Sequence, residues 1–291
     1  MSDVSERPKV GFIGLGIMGK PMAKNLLAAG FPLSVVDRPA AAAAELAALG
    51  ARVLDSTGQV AAEADVVITM LPDSPDVESV VLGAGGVRDN ARPGTVAIDM
   101  STIAPAVAQR VARELGARHI AALDAPVSGG EQGAIDGTLS IMVGGPQATF
   151  DAMASVFAAL GKNVVRIGES GAGQTAKACN QILVAIALEG VAEALTLAKA
   201  AGVDAAKVRQ ALLGGLAASR VLDTHGLRML ERRFAPGFKA KLHRKDLRIA
   251  TESAETLALN LPATRLAFER MSELAARDGE IDHSALITLF E

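Results

Sequence analysis

The feature that most constrains the fold of this chain is a glycine-rich turn that directly follows a short apolar run near the N-terminus. Val10–Ile13 reads VGFI, which predicts a buried strand, and a G-x-G-x-x-G pattern follows it. A helical pattern begins immediately afterwards, at residues 21–29. A strand, a glycine turn and a helix in this order are typical of a dinucleotide-binding unit, because the helix N-terminus and a closely approaching backbone bind the pyrophosphate. The residues predicted to contact such a cofactor in this turn are Gly14, Gly16, Ile17, Met18 and Gly19.

An acidic residue follows the second predicted strand, Leu33–Val36. Asp37 lies 23 residues after Gly14, close to the spacing of about 20 residues at which this kind of fold places a ribose-binding carboxylate. A carboxylate at that position accepts hydrogen bonds from the ribose hydroxyls and repels a 2′-phosphate, which favours NAD. Arg38 is next in the chain, and its guanidinium could bind the 2′-phosphate of NADP. The sequence therefore predicts NAD, with NADP as the alternative.

Strand and helix patterns alternate through the first half of the chain and then give way to helices alone. Further strand candidates are residues 66–70, 96–98, 120–123, 141–143 and 164–167. The helical stretches are residues 21–29, 40–49, 77–81, 104–115 and 147–160, followed after Gly173 by 174–201, 204–213, 246–257, 262–278 and 284–290. This order predicts a Rossmann-type α/β domain at residues 1–170, with a doubly wound, mostly parallel sheet. An all-helical domain at residues 171–291 follows, and it begins with a long interdomain helix.

The composition excludes several classes of function. With 29 basic and 32 acidic side chains the formal net charge is −3, which argues against nucleic-acid binding driven by the charge of the whole molecule. The single cysteine, Cys179, excludes a disulfide framework and a zinc site built from several thiolates, and it favours a reducing, cytoplasmic location. Tyrosine is absent, so no tyrosine acts as a catalytic acid. The four histidines are far apart in the chain and lack the i, i+4 spacing of a helical metal pair, so no metal site is predicted.

Neither a membrane-spanning segment nor a nucleic-acid-binding module is expected. The first ten residues are polar and contain no apolar run of signal-peptide length. The most apolar stretch, residues 182–198, contains Glu189 and Glu193, which indicates a packed helix rather than a membrane span. A basic stretch at residues 228–248 makes a nucleic-acid-binding module the alternative class of function. The chain has no tyrosine or tryptophan that could stack on bases, which argues against this alternative.

Several loops follow predicted strands, and in open α/β sheets ligands bind beside the carboxyl ends of the strands. One of these loops contains Met70, Leu71 and Pro72, and another contains Ser101 and Thr102. We expect both loops to contact the cofactor, although ordinary turns between strands and helices have the same composition.

A third loop and the long helix carry the candidate chemistry. Ser128, Gly129 and Gly130 can direct a hydroxyl and consecutive backbone amides at one anion, such as a substrate carboxylate, although a polar turn has the same composition. Lys177 stands in the first turns of the long helix and faces either solvent or the cleft between the domains.

Six ordered blocks of sequence resemble the β-hydroxyacid dehydrogenases, a family that includes 3-hydroxyisobutyrate dehydrogenase and the glyoxylate/succinic semialdehyde reductases. The blocks are GFIGLGIMGKPMAKNL (11–26), TMLPDSP (69–75), DAPVSGG (124–130), GTLSIMVGG (137–145), GAGQTAKACNQ (171–181) and KLHRKDL (241–247). The resemblance extends from Val10 to the HSAL segment at residues 283–286. It implies an oxidoreductase that uses NAD or NADP on a small carboxylate-bearing aldehyde or hydroxy acid.

The resemblance also implies roles for Lys177 and for residues of the first domain. The lysine that matches Lys177 is the catalytic acid and base of the family. The Ser-Gly-Gly that matches Ser128, Gly129 and Gly130 holds the substrate carboxylate, and Thr102 matches a position near the nicotinamide and the substrate.

Further roles are implied for the helical domain. Lys245 matches a lysine that closes over the cofactor, and Phe238 and Asp246 match positions that line the same cleft. Many relatives carry asparagine four residues after the catalytic lysine, whereas this chain has Gln181 there and Asn180 just before it. Either amide is therefore a candidate for contact with the substrate.

Association of identical chains is expected as well. The long apolar helix and the C-terminal segment IDHSALITLF (281–290) offer more apolar surface than one compact monomer would bury. Members of the family associate through their helical domains. The sequence thus predicts a homodimer or a homotetramer.

Overall fold

The computed structural model describes residues 7–36 and 40–291, which form two compact units. The first unit is Met1–Lys177 and the second is Ala178–Glu291. The domain boundary predicted after residue 170 lies a few residues before this division and stays a prediction.

The first unit is built on one sheet, which has nine strands in the described part of the chain. The strands are β1 (Val10–Ile13), β2 (Leu33–Val36), β3 (Arg52–Val53), β4 (Val66–Thr69), β5 (Val96–Asp99), β6 (Ala121–Asp124), β7 (Val127–Ser128), β8 (Leu139–Gly144) and β9 (Gly161–Gly168). The first six pair in parallel in the order β3-β2-β1-β4-β5-β6. Strand β8 pairs antiparallel with β6 and β7 and parallel with β9. The predicted doubly wound, mostly parallel sheet is confirmed.

The register of the parallel strands brings four strand ends together. Ile13 pairs with Thr69, Thr69 with Asp99, and Asp99 with Asp124. These four residues therefore stand in one row at the carboxyl edge of the sheet, and the loops that follow them begin side by side.

Helices cover both faces of this sheet. They are α1 (Gly19–Ala28), α2 (Ala40–Ala48), α3 (Thr57–Glu63), α4 (Ser74–Leu82), α5 (Val87–Asn90), α6 (Pro105–Gly116), α7 (Gly130–Ile135), α8 (Gln147–Ala152) and α9 (Ala154–Leu160). Side chains alternate between the faces, so Phe12 and Ile68 join the core on one side while Ile13 and Val67 join the core on the other. Because β1 and β4 are buried on both faces, their residues are apolar apart from Thr69 at the end of β4, which is why the sequence reveals them.

The prediction of one helix at residues 147–160 is wrong, because the chain leaves helical geometry at Met153, where ψ is 9°. Two strands of two residues, β3 and β7, were not predicted, and neither were the short helices α3, α5 and α7. Elements this short do not complete enough periods of a hydrophobic pattern to be recognised in a sequence.

The second unit is helical, as predicted. Its elements are α10 (Ala172–Ala200), which enters it from the first unit, α11 (Ala205–Leu213), α12 (Arg220–Leu230), α13 (Ala240–Thr256), α14 (Pro262–Arg277) and a terminal 3₁₀ helix (His283–Leu289). Leu188, Leu195, Leu222, Leu247 and Leu286 are buried in one core. Helix α12 was not predicted, α13 begins six residues earlier than expected, and the last element is a 3₁₀ helix rather than an α-helix.

Helix α10 is long and apolar enough to cross a membrane by length and composition alone. In its most apolar 18-residue window, 39% of the residues are buried. Core helices of soluble proteins meet the same criterion, so the expectation that this helix does not span a membrane stays a prediction.

Candidate active site

The glycine turn after β1 has the geometry that a dinucleotide needs. Gly14 has a φ of +100°, and a Cβ there would lie 2.3 Å from the carbonyl oxygen of Met70. A Cβ on Gly19, the first residue of α1, would lie 1.9 Å from the carbonyl oxygen of Gly14. A Cβ on the exposed Gly16 would meet nothing within 4 Å. The outer glycines therefore close the turn, whereas Gly16 leaves open space beside the backbone.

The other predicted residues of this turn complete the start of α1. Ile17 is exposed, and Met18 is the residue that precedes the helix. Among the described residues, no side chain caps this helix N-terminus. Its first amides and its dipole thus suit the pyrophosphate of a dinucleotide, and the residues present fit that group. Asp37 and Arg38, predicted to choose between NAD and NADP, lie outside the described residues.

The loop after β4 is fixed from two sides. The backbone N–H of Met70 donates to the last carbonyl of β1 at 2.9 Å, and the N–H of Leu71 donates to Ser101 Oγ at 2.8 Å. Ser101 Oγ in turn donates to Asp99 Oδ1 at 2.6 Å. Pro72 is next in the loop and is exposed. The predicted cofactor loop Met70, Leu71 and Pro72 is therefore supported by a buried serine and a buried carboxyl group.

Asp99 is a buried carboxyl group that sequence reasoning did not single out. Its Oδ1 also accepts from Thr69 Oγ1 at 2.8 Å, while Oδ2 has no hydrogen-bond partner in the described part of the chain. Burial raises the pKa of Asp99 to about 6, although hydrogen bonds from Ser101 and Thr69 oppose the shift. A small cavity adjoins Asp99, and its other polar lining residues are Thr69, Asp124 and Ser170. An acidic residue at the carboxyl end of an apolar strand is the signal that could have indicated this group.

Lys177 lies in the second turn of α10 and is buried. Its Nζ donates to the backbone carbonyl oxygen of Val127 at 2.8 Å. Val127 immediately precedes Ser128 in β7, so the structure brings the predicted lysine next to the predicted anion-binding segment. Sequence spacing alone did not decide between an exposed and a buried lysine.

The segment after β7 has backbone geometry that only glycine adopts easily. Gly129 has a φ of +141° and Gly130 a φ of +62°, and both residues are exposed. Ser128 pairs with Ser140 in β8 and is half-buried. Gly130 is also the first residue of α7, so the turn presents a hydroxyl and a helix start within three residues.

Thr102 is held in place through its two neighbours. Gln174, in the first turn of α10, donates from Nε2 to the carbonyl oxygen of Ser101 at 2.8 Å, and its Oε1 accepts from the N–H of Ile103 at 3.1 Å. Sequence reasoning did not include Gln174, although its place three residues before Lys177 in the block GAGQTAKACNQ (171–181) is a signal that could have indicated it.

The second unit brings four of the predicted residues into one hydrogen-bonded group. Gln181 Nε2 donates to Asp246 Oδ2 at 2.7 Å, and Gln181 Oε1 accepts from Asn180 Nδ2 at 2.8 Å. Lys245 Nζ lies 2.7 Å from Asp246 Oδ1. A carboxylate can only accept, so Asp246 fixes the orientation of the Gln181 amide. The roles of these residues toward substrate and cofactor stay predictions.

Phe238 packs elsewhere in the second unit, against two histidine rings. Its ring centroid lies 5.5 Å from that of His243 and 5.4 Å from that of His283. His283 Nδ1 is 2.9 Å from His243 Nδ1, and His283 Nε2 is 3.3 Å from His225 Nε2. Three of the four histidines, which are far apart in the sequence, thus form one cluster, in which His243 and His283 are buried and His225 is half-buried.

Ligand atoms of His225, Asp282 and His283 lie within 4.8 Å of one another, close enough to hold a metal ion. However, both oxygens of Asp282 already accept hydrogen bonds, and the guanidinium of Arg228 lies 2.8 Å from Oδ2. These contacts favour a structural hydrogen-bonded cluster over a cation site.

The first unit therefore combines an open glycine turn at a helix N-terminus with a buried ammonium group beside an exposed Ser-Gly-Gly segment. The turn suits a dinucleotide, the segment suits a small anion, and the ammonium can stabilise a developing oxyanion and donate a proton to it.

Comparison with known proteins agrees with this assignment. Residues 9–168 match the family model for the NAD binding domain of 6-phosphogluconate dehydrogenase, and residues 171–290 match the model for NAD-binding of NADP-dependent 3-hydroxyisobutyrate dehydrogenase. The chain is 49% identical to 2-hydroxy-3-oxopropionate reductase of Escherichia coli K12 over 284 residues, which is 97% of each protein. It is 40% identical to NAD-dependent L-serine dehydrogenase of Pseudomonas aeruginosa, over 97% of this chain and 98% of that protein.

A solved structure of similar fold is 3-hydroxyisobutyrate dehydrogenase of Mycobacterium tuberculosis with L-serine. It is 34% identical, with a TM-score of 0.91, and the match covers 98% of this chain and 99% of that one. The chain belongs to the β-hydroxyacid dehydrogenase family and is an NAD(P)-dependent oxidoreductase.

Proposed function

We propose that this enzyme reduces 2-hydroxy-3-oxopropionate (tartronate semialdehyde) to glycerate, with Lys177 as the proton donor. The observation that carries the proposal is the buried ammonium of Lys177, 2.8 Å from the carbonyl oxygen of the residue that precedes Ser128. The 49% identity to the E. coli reductase supports the choice of substrate.

The first unit supplies the residues that would hold the cofactor. The pyrophosphate would lie against Gly14, Gly16 and Gly19, where the open side of Gly16 gives the backbone close access. The loop that contains Leu71 and the loop that contains Thr102 begin on the same edge of the sheet. NAD(P)H, when bound, supplies the hydride.

The substrate carboxylate would bind at Ser128, Gly129 and Gly130. The hydroxyl and the consecutive amides of this exposed turn offer several donors to one anion. Because Lys177 is anchored to Val127, an anion held there would place the aldehyde group near the ammonium.

Lys177 would supply the proton. As the aldehyde carbon is reduced, negative charge develops on its oxygen, and the ammonium stabilises that charge and transfers one proton from Nζ to the oxygen. The balanced change is the addition of one hydride to the carbon and one proton to the oxygen, which gives the alcohol group of glycerate. The carbonyl of Val127 keeps the ammonium oriented before transfer.

Substitution of Lys177 tests this role. Because the charge it stabilises exists mainly in the transition state, Lys177→Ala should lower kcat by at least about 10³-fold. NADH binding should change little, since the glycine turn is untouched. Lys162→Ala, an exposed lysine in β9, is the matched control and should remain active. Retention of more than about a tenth of wild-type kcat, with chemistry rate-limiting, would show that Lys177 is not the donor.

Two other activities are alternatives, and one of them is supported by a specific comparison. The M. tuberculosis neighbour favours 3-hydroxyisobutyrate dehydrogenase activity, and the family resemblance keeps a glyoxylate/succinic semialdehyde reductase as a further alternative. Initial rates with tartronate semialdehyde, methylmalonate semialdehyde, glyoxylate and succinic semialdehyde would separate these. The proposal requires the highest kcat/KM with tartronate semialdehyde.

The same assay with NADH and NADPH tests the preference for NAD. Asp37→Ser should weaken the use of NADH and, with Arg38 retained, improve the use of NADPH. A wild-type preference for NADPH of about tenfold or more in kcat/KM would contradict the assignment of Asp37.

A further inference from the structure

Asp124, the last residue of β6, joins the sheet to the first turn of α10. It is buried, and its two carboxylate oxygens accept from different backbone amides. Oδ1 accepts from the N–H of Gly171 at 2.7 Å, and Oδ2 accepts from the N–H of Gln174 at 2.9 Å. Amides at a helix start have no intrahelical partners, so this carboxylate satisfies donors that would otherwise be buried and unpaired.

Two glycines make room for this carboxylate. A Cβ on Gly144 would lie 2.5 Å from Asp124 Oδ1. A Cβ on Gly173 would lie 2.9 Å from Asp124 Oδ2 and 2.4 Å from the carbonyl oxygen of Met142. The helix start, the end of β8 and the end of β6 therefore approach more closely than any residue with a side chain would allow.

Both ends of the Lys177 side chain are held by contacts with residues 124–127, the backbone end through Gln174. Its backbone lies one turn after Gln174, whose N–H is held by Asp124. Its Nζ donates to the carbonyl of Val127, three residues after Asp124. Lysine has four rotatable side-chain bonds, so fixing both ends to residues 124–127 restricts where the ammonium can lie.

Gln174 adds a second connection from the same helical turn. Its amide bonds to the carbonyl of Ser101 and the N–H of Ile103, on either side of Thr102. The side chain is 1% exposed, so both bonds are shielded from water. The first turn of α10 thus ties the loop after β5 to the segment after β6.

We propose that Asp124 is a positioning residue for Lys177 and acts through the first turn of α10. Gln174, in the same turn, holds the loop that contains Thr102 in position. The proposal rests on the proposed role of Lys177 as proton donor. Asp124 and Gln174 do not exchange protons with the substrate; they hold the donor and the neighbouring loop where transfer is fast. A displacement of about 1 Å is enough to cost on the order of 10²-fold in rate.

Asp124→Asn tests the proposal, because an amide presents N–H groups where one of the two backbone donors needs an acceptor. We expect kcat per folded site to fall about 10- to 100-fold, with much smaller changes in the KM for the aldehyde and in NADH affinity. The primary isotope effect with 4-deuterated NADH should rise, since chemistry becomes more fully rate-limiting. Asp151→Asn, at an exposed position of α8, is the matched control and should leave kcat unchanged.

A double-mutant cycle with Lys177→Ala separates positioning from a general loss of structure. If Asp124 acts through Lys177, Asp124→Asn should cause little further loss in the Lys177→Ala enzyme. Equal fold-losses in both backgrounds would overturn the proposal. An active Lys177→Ala enzyme would instead overturn the proposed function, so the two failures are distinguishable.

Gln174→Met keeps the inference testable if Asp124→Asn does not fold. This variant removes the side-chain hydrogen bonds to Ser101 and Ile103 but keeps the backbone N–H that donates to Asp124. We expect a loss in kcat, measured per NADH-binding site, that persists in the Lys177→Ala background, because this variant disturbs the loop that contains Thr102 and not the contact between Asp124 and α10. A loss that disappears in the Lys177→Ala background, or no loss at all, would contradict the proposed role of Gln174.

Discussion

The two units differ in the ionisable groups whose pKa burial shifts at their centre. The first unit buries the carboxyl groups Asp99 and Asp124 at the carboxyl edge of its sheet, whereas the second has a histidine cluster among its helices, with His243 and His283 buried and His225 half-buried. Burial disfavours the charged form of any group, so it raises the pKa of an acid and lowers the pKa of a base. The same physical cause should therefore make the two units respond to acid in opposite directions.

In the first unit, burial raises the pKa of Asp99 to about 6, and it raises the pKa of Asp124 against hydrogen bonds from Gly171 and Gln174. Between the ordinary pKa of 3.8 and the raised value, the folded unit keeps protons that the unfolded chain has lost. These groups therefore make the free energy of unfolding decrease as pH rises through that window.

Three groups of the second unit act in the opposite direction. Burial lowers the pKa of His283 well below 6.5 and also lowers that of His225, so the unfolded chain binds protons that the folded unit does not. Burial alone would raise the pKa of Asp282, but hydrogen bonds led by those from Ser284 and Phe238 outweigh it and lower the pKa. All three groups make the second unit lose stability as pH falls.

The largest effect is expected from Asp282, which holds the C-terminal segment of the second unit. Its side chain is fully buried and accepts from Arg228, Gly237, Phe238 and Ser284 at 2.8 to 3.0 Å. Asp282→Ala should lower the free energy of unfolding of the second unit by about 3–5 kcal/mol, because it leaves a guanidinium and several amides without their acceptor.

Urea denaturation followed by circular dichroism, with hydrogen exchange of peptides from each unit, would measure this cost. Glu269→Ala, an exposed position of α14, is the matched control. A cost below about 1 kcal/mol for Asp282→Ala would show that solvent or other donors replace the lost contacts.

The next effect concerns the first unit and changes with pH. A shift of the Asp99 pKa from 3.8 to about 6 corresponds to about 3 kcal/mol between low and neutral pH. Asp99→Asn does not titrate, so it should gain stability relative to wild type by roughly this amount as pH rises from 4 to 7. Exchange of β5 peptides at several pH values, with the exposed Asp136→Asn as control, is the measurement. A difference between variant and wild type that does not depend on pH would refute the assignment.

For the second unit, the expected change has the opposite sign. Each proton that only the unfolded chain takes up makes the free energy of unfolding change by up to about 1.4 kcal/mol per pH unit. The stability of the wild-type second unit should therefore fall as pH drops below 6.5. His283→Gln should flatten this slope. The exposed His119→Gln in the first unit is the control and should leave the slope of the second unit unchanged. An unaltered slope in His283→Gln would show that another group carries the acid response.

The two units also differ in how far the sequence predicts them. The sheet and the glycine turn of the first unit were predicted because their signals are local: the apolar run Val10–Ile13 and the glycines after it are contiguous. The bonds from Asp124 to Gly171 and Gln174 join residues 47 and 50 positions apart, so no spacing rule indicates them.

In the second unit the helices were largely predicted, but their buried polar contacts were not. His225, His243 and His283 come from three different elements, and only the packing of those elements makes them neighbours. Helix α12, which carries His225, was also missed. Its six polar or glycine residues among eleven weaken the apolar pattern on which prediction depends.

The smallest expected effect compares matched helix caps. Ser56 Oγ accepts from the N–H of Gln59 at 3.3 Å before α3, and Ser219 Oγ accepts from the N–H of Leu222 at 3.0 Å before α12. Replacing a capping serine by alanine typically costs about 1 kcal/mol. Ser219 is half-buried and its bond is shorter, whereas Ser56 is exposed and water can replace its bond, so Ser219→Ala should cost more.

Thermal denaturation of the two alanine variants, each beside the corresponding glycine variant, measures this difference. Glycine lets the helix start be hydrated, so Ser→Gly should cost only a few tenths of a kcal/mol at either site. If Ser56→Ala costs as much as Ser219→Ala, burial of the cap does not set its contribution. The contrast between the units would then be confined to their buried ionisable groups.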